Sequence, residues 1–130
     1  MTESWSTRLE VAWGDMDAFG HVNNARYFTY FEIARILWFQ AKGVMMDGLR
    51  VGDVGPILAS TSCRFKAPVT FPDTLEIAIE VIDVGEDRFS HRYTVRSEAL
   101  GRVAATGEAL VVSYDYAKGA KAPVPPSWNL

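Results

Sequence analysis

Hydrophobic and polar positions change period twice along this chain. From Thr7 to Trp13, Leu9, Val11 and Trp13 share one parity, while Arg8, Glu10 and Ala12 share the other. That alternation predicts a half-buried strand. From Asn24 to Lys42 there is no proline or glycine, and Tyr27, Phe31, Ala34, Trp38 and Ala41 recur at spacings of three and four. Tyr30 and Leu37 widen this stripe. The pattern predicts a helix of about five turns with few polar positions, buried on most sides. Gly43 ends it. The next stretch, from Gly43 to Pro56, holds four glycines and reads as a loop with room for one short helical turn.

From Ile57 the period returns to two. Strands are predicted over Ile57–Phe65, Thr74–Val84, Arg88–Ser97 and Arg102–Tyr114. Turn residues separate the last three: Gly85-Glu86-Asp87 and Leu100-Gly101. A connector with two prolines, Lys66 to Asp73, precedes them. The order is strand, long helix, then four strands expected to run as a meander. One very apolar helix against one antiparallel sheet is an α+β arrangement, with a sheet of about five strands wrapping the helix. Residues 1–116 are expected to form this domain. Residues 117–130, with three of the six prolines, are expected to form an extended, loosely attached tail.

Composition narrows the function classes. A length of 130 residues fits one domain. Thirteen Lys+Arg against sixteen Asp+Glu leave a net charge of −3. Nucleic acid is therefore not expected as a partner, because that role needs a basic footprint. A single cysteine, Cys63, forms no internal disulfide and points to a reducing cytoplasm; packed as an inert buried thiol it needs no further role. The first residues show neither a basic n-region nor an apolar h-region. No uncharged apolar run nears the roughly 20 residues of a membrane helix, so no membrane association is expected.

The chemistry-bearing segment lies between the first strand and the helix. Asp15, Asp17, His21, Asn23 and Asn24 fall within ten residues. A helix start exposes unpaired N–H groups with partial positive charge, which can hold a developing oxyanion. A carboxylate a few residues earlier can act there as general base or nucleophile. His21 can orient that carboxylate, the substrate or a water. These groups suit hydrolysis of an activated acyl group. The plainer reading stands beside it: Asp and Asn before a helix also serve as caps and turn formers, and His21 also fits a structural role. His91, on the Phe89/Tyr93 parity, is expected in the core or an interface, and Met45-Met46 in loop packing. There is no Gly-x-Ser-x-Gly elbow, phosphate loop or paired-cysteine motif, and two histidines do not make a multi-His zinc site. No metal is expected.

The run from Trp13 through Gly14-Asp15-Met16-Asp17-Ala18-Phe19-Gly20-His21-Val22-Asn23-Asn24 to Tyr27 resembles the signature of the hotdog-fold acyl thioesterases. It is most similar to the 4-hydroxybenzoyl-CoA thioesterase-like branch. Phe65-Lys66-Ala67-Pro68 and Asp73-Thr74-Leu75-Glu76-Ile77 are similar to that branch as well. The resemblance implies a hotdog fold, a long central helix wrapped by the sheet, assembled as a homodimer or a dimer of dimers. It implies hydrolysis of a small or medium acyl-CoA to free acid and CoA, with CoA part of the substrate and no separate cofactor. It implies Asp17 as the catalytic carboxylate and Asn24 as the position of the backbone oxyanion donor. Asp15 and Tyr27 then have structural roles. His21 coincides with the catalytic histidine of plant acyl-carrier-protein thioesterases, while their catalytic asparagine falls on Phe19. The benzoyl-CoA branch usually carries an aliphatic residue at the His21 position. For CoA binding the resemblance points to the turn before the fourth strand and hence to Arg88; Arg64, Lys66, Arg92 and Arg96 are further basic candidates. Carrier-protein thioesterase activity and non-catalytic acyl-CoA binding are the alternatives, and a hotdog hydratase, whose Asp/His dyad motif is not visible, is the weakest.

Overall fold

Helix α1 spans Asn24–Ala41 and begins where Asn23 caps it, its side-chain oxygen accepting the Ala25 N–H at 2.9 Å. The structure is a computed structural model, and it describes residues 5–46 and 49–130. Its strands are β1 (Trp5–Glu10), β2 (Met45–Met46), β3 (Leu49–Arg50), β4 (Val54–Phe65), β5 (Thr74–Ile82), β6 (Arg88–Ser97), β7 (Arg102–Asp115) and β8 (Ala120–Lys121). The main sheet is antiparallel in the order β1-β5-β6-β7-β4, with β8 paired to β7. One helix packed on a curled sheet of five long strands is the hotdog architecture.

Strand parity decides what the helix meets. Leu75, Ile77 and Ile79 of β5 and Phe89, His91, Tyr93 and Val95 of β6 are buried. Opposite these β6 residues, β7 places Val111, Ala109, Gly107 and Ala105. Large residues on one strand thus face mostly small ones on the next, leaving a trough for the helix. Phe31 fills it. Its ring stacks on Tyr93 with centroids 4.6 Å apart and planes 11° apart. A Cβ on Gly107 would run into that ring and would sit 2.7 Å from the Ser62 carbonyl oxygen. Gly107 is therefore required by space, not by backbone angle.

Four expectations change. Only β5, β6 and β7 form a meander, because β4 pairs with β7 at the opposite edge from β1. The connector 66–73 crosses under the helix start, where Val22 N–H donates to Val69 O at 2.8 Å. Prolines 68 and 72 lack the N–H that would let it join a ladder. Trp13 does not continue β1. It opens a 3-10 turn over Trp13–Asp15 and is 72% exposed, since Ala12 N–H goes to the Asp15 carboxylate rather than to a neighbouring strand. Between Gly43 and Pro56, the described residues include two short strands, β2 and β3, paired antiparallel.

The tail is also held more closely than its composition suggests. Ala122 N–H donates to Ser113 O at 3.0 Å and Val124 N–H to Glu86 O at 2.8 Å. Trp128 is 4% exposed and meets Phe89 edge-on. Composition reports the prolines; it does not report the gap in the core that the indole fills.

Two predictions follow from this packing. Gly107→Ala forces Phe31 or the β4 backbone to move, so it should lower the unfolding free energy by about 2 kcal/mol. Urea denaturation measures this, and adding Phe31→Leu should return part of the loss. His91 carries the second. Burial, and then the Arg35 cation, push its pKa from 6.5 down to about 3. Below pH 6.5 the unfolded chain takes up a proton that the fold refuses, so stability is intact above that value and falls as pH drops. This group should cost about 2 kcal/mol between pH 7 and pH 5. Comparing wild type with His91→Phe isolates it, because the carboxylates titrate alike in both; equal slopes would remove His91 as the cause.

Candidate active site

The segment before the helix is built around Asp15. Its Oδ2 accepts the Ala12 N–H at 3.0 Å and the Tyr30 hydroxyl at 2.8 Å. Its Oδ1 lies 3.6 Å from Arg26 Nε, and its backbone oxygen accepts the Asn23 N–H at 2.9 Å. Burial and this carboxylate both push the Tyr30 hydroxyl pKa up, so the phenol keeps its proton and remains a donor. Asp15 thus ties the turn to the second turn of α1.

Asp17 is engaged differently. Its Oδ1 accepts the Phe19 N–H at 2.9 Å. This is a side-chain turn that leaves Oδ2 without a hydrogen-bond partner among the described residues. The loop closes on itself: Asp17 N–H donates to His21 O at 2.9 Å and Gly20 N–H to Asp17 O at 3.0 Å. Gly20 sits at φ +82°, where a side chain would be strained. Phe19, at the tip, is 87% exposed.

Two shallow clefts flank this turn. One, of about 520 Å³, takes in Asp15, Asp17, Asn23 and Arg26. The other, of about 310 Å³, takes in His21, Asn24, Tyr27, Phe65 and Lys66. The predicted site residues therefore share one turn but open on two sides of it within a protomer: Asp17 on one, His21 and Asn24 on the other. At the turn's end the Asn24 N–H has no acceptor among the described residues, as expected of a helix start. Tyr27 forms the buried wall of its cleft, edge-on to Phe65 at 5.2 Å. Burial pushes its hydroxyl pKa up to about 12 and that of the Cys63 thiol to about 11; both stay neutral at pH 7. Among the described residues, no group of three His, Cys, Asp or Glu side chains is placed to hold a metal ion.

The basic candidates separate clearly in space. Arg88 is held by its neighbour, Nε to Asp87 Oδ1 at 2.8 Å. Arg92 spans Glu80 and Glu108 at 3.2 and 3.6 Å. Arg96 donates to the Gly101 carbonyl. Lys66, on the connector after β4, borders the Asn24 cleft and makes no ion pair among the described residues. The family resemblance puts forward the turn at Arg88; only the crossing of 66–73 under the helix start brings Lys66 to the cleft. Arg35, which sequence pattern hides inside an apolar stripe, is 7% exposed.

Comparison with known proteins places this geometry. The PA2801 protein of Pseudomonas aeruginosa is 28% identical, with 95% of this chain and 94% of that one covered and a TM-score of 0.86. A 1,4-dihydroxy-2-naphthoyl-CoA thioesterase from Synechocystis shares the fold at 21% identity, covering 98% and 93% of the two chains with a TM-score of 0.84. The SAV2348 protein from Staphylococcus aureus, solved in complex with CoA, shares it at 14% identity, covering 99% and 81% with a TM-score of 0.89. The family model of the Thioesterase-like superfamily matches residues 11–129, and the chain belongs to that superfamily.

Proposed function

We propose that this protein is an acyl-CoA thioesterase, hydrolysing a small or medium acyl-CoA to free acid and CoA. The observation that carries this is the juxtaposition at one turn of an unpaired helix-start N–H at Asn24 and a carboxylate, Asp17, with one oxygen uncommitted. Membership of the Thioesterase-like superfamily supports it, as does the fold shared with a CoA thioesterase and a CoA-bound protein.

In this reading the thioester lies across the Asn23–Asn24 turn, between the two clefts. Its carbonyl oxygen accepts the Asn24 N–H, and the aligned dipoles of α1 favour the charge that builds there. The free Oδ2 of Asp17 attacks the carbonyl carbon or takes the proton of a water that does. Collapse of the tetrahedral species breaks the C–S bond and releases the thiolate, which takes up a proton; where Asp17 is the nucleophile, water then hydrolyses the Asp17–acyl anhydride to the free acid and restores the carboxylate. His21 orients water or the leaving sulfur. Lys66 suits the CoA anion better than Arg88, because Arg88 is already neutralised by Asp87.

The same reading assigns the free edge of β4 to a second copy. Among the described residues its outer edge has no partner strand in the protomer. Ile57 and Phe65 on it and Phe28 and Ile33 on α1 are all 37–45% exposed. Unpaired edges with apolar neighbours favour strand addition, and twofold pairing there would form a dimer.

Asp17→Asn is the direct test, because Asn keeps the oxygen that accepts the Phe19 N–H. Turnover of a panel of acyl-CoAs, followed by free-thiol release, should fall by about 10²–10⁴-fold with unchanged thermal stability. Unchanged turnover would remove Asp17 from the mechanism. Saturable acyl-CoA binding with no thiol release from any ester would leave a binding module instead.

A further inference from the structure

A third cleft, of about 190 Å³, lies between the second half of α1 and strands β4 and β7. Ile36, Phe39, Met45, Pro56 and Leu58 give it apolar walls, and Arg35 and Glu32 are the charged residues on its lining. Arg35 is 7% exposed. Its guanidinium donates one hydrogen bond, from Nη1 to the Tyr93 hydroxyl at 3.0 Å. No carboxylate lies within 4.0 Å of it among the described residues, Glu32 included. Its other nitrogens are not sealed in protein: the one buried side-chain polar atom left unpartnered among the described residues is His91 Nε2. Arg35 is among the residues that line the cleft.

A cation this buried costs several kcal/mol in desolvation unless an anion meets it. Among the described residues only a neutral hydroxyl meets it. The planar fork of an arginine matches a carboxylate through two parallel hydrogen bonds. The apolar walls match a hydrocarbon body. The volume, equal to the liquid share of roughly six waters, is below the 300–1,000 Å³ typical of drug-sized sites. It is too small to enclose a whole CoA ester, and it admits a short aliphatic chain or a single ring.

We propose that this cleft binds a small carboxylic acid, its carboxylate on Arg35 and its hydrocarbon body against Phe39, Met45 and Leu58. Eleven residues of helix separate Arg35 from Asn24, about 16 Å along the axis, so this site is distinct from the turn at Asp17. It stands whether or not the thioesterase reading holds. If that reading holds, the acid released by hydrolysis belongs to the class this cleft takes, and the cleft is a product site.

Benzoate and its neutral isostere benzamide are the probes, titrated calorimetrically into the full chain at constant ionic strength. Benzoate should bind saturably, one per chain, and benzamide at least tenfold more weakly. Arg35→Met should abolish benzoate binding. Met45→Trp, which narrows the cleft and leaves the cation in place, should weaken it at least tenfold and carries the test if Arg35→Met does not fold. Asp17→Asn should bind benzoate as wild type does, which keeps this result separate from the fate of the thioesterase reading. Absence of saturable benzoate binding, equal binding of benzamide, or binding indifferent to Met45→Trp would overturn the proposal and leave Arg35 a structural donor to Tyr93.

Discussion

The seating of Phe31 on the sheet is the contact on which the other features depend. Phe31 lies against Tyr93 on one side and over the bare backbone of Gly107 on the other. Large residues on β6 opposite small ones on β7 make the depression, and the ring locks helix and sheet in one register. Burying a side chain of this size contributes about 1.5–3 kcal/mol. Its positional effect is larger in consequence: it sets where α1 begins, and hence where Asn24 and the preceding turn sit.

That turn is held at two points and left open between them. Asp15 is committed to Ala12, Tyr30 and Arg26, and Asn23 to the helix cap. Asp17, between them, spends one oxygen on its own loop and keeps the other. Two carboxylates two residues apart thus have opposite employment, one structural and one available. The difference comes from neighbours contributed by the helix, not from the residue type.

Beneath the helix the same packing strands polar groups in an apolar setting. Arg35 donates to the Tyr93 hydroxyl, which in turn lies 3.1 Å from His91 Nδ1. Trp38, Phe39 and Phe89 surround the His91 ring. The imidazole stays neutral because burial and a neighbouring cation both oppose a second proton. Neutral histidine and uncompensated arginine are two results of one arrangement.

Much of this was legible in the residues. The proline- and glycine-free stripe from Asn24 specified the helix, period-2 alternation specified β5 and β6, and the clustering of Asp15, Asp17, His21 and Asn24 marked the turn. These are local properties, set by chain geometry within a few residues. Which strands become neighbours was not legible: β4 could pair with β5 in a meander or cross to β7, and only the packing of the helix on the sheet decides. The same holds for Trp128, whose gap in the core is made by distant residues, and for Lys66, brought to the Asn24 cleft by the crossing. It holds above all for Arg35, which sequence shows as one of several polar residues in a largely apolar helix. Burial, pairing and the faces of a cleft are sums over residues far apart in the chain, so tertiary structure alone decides them.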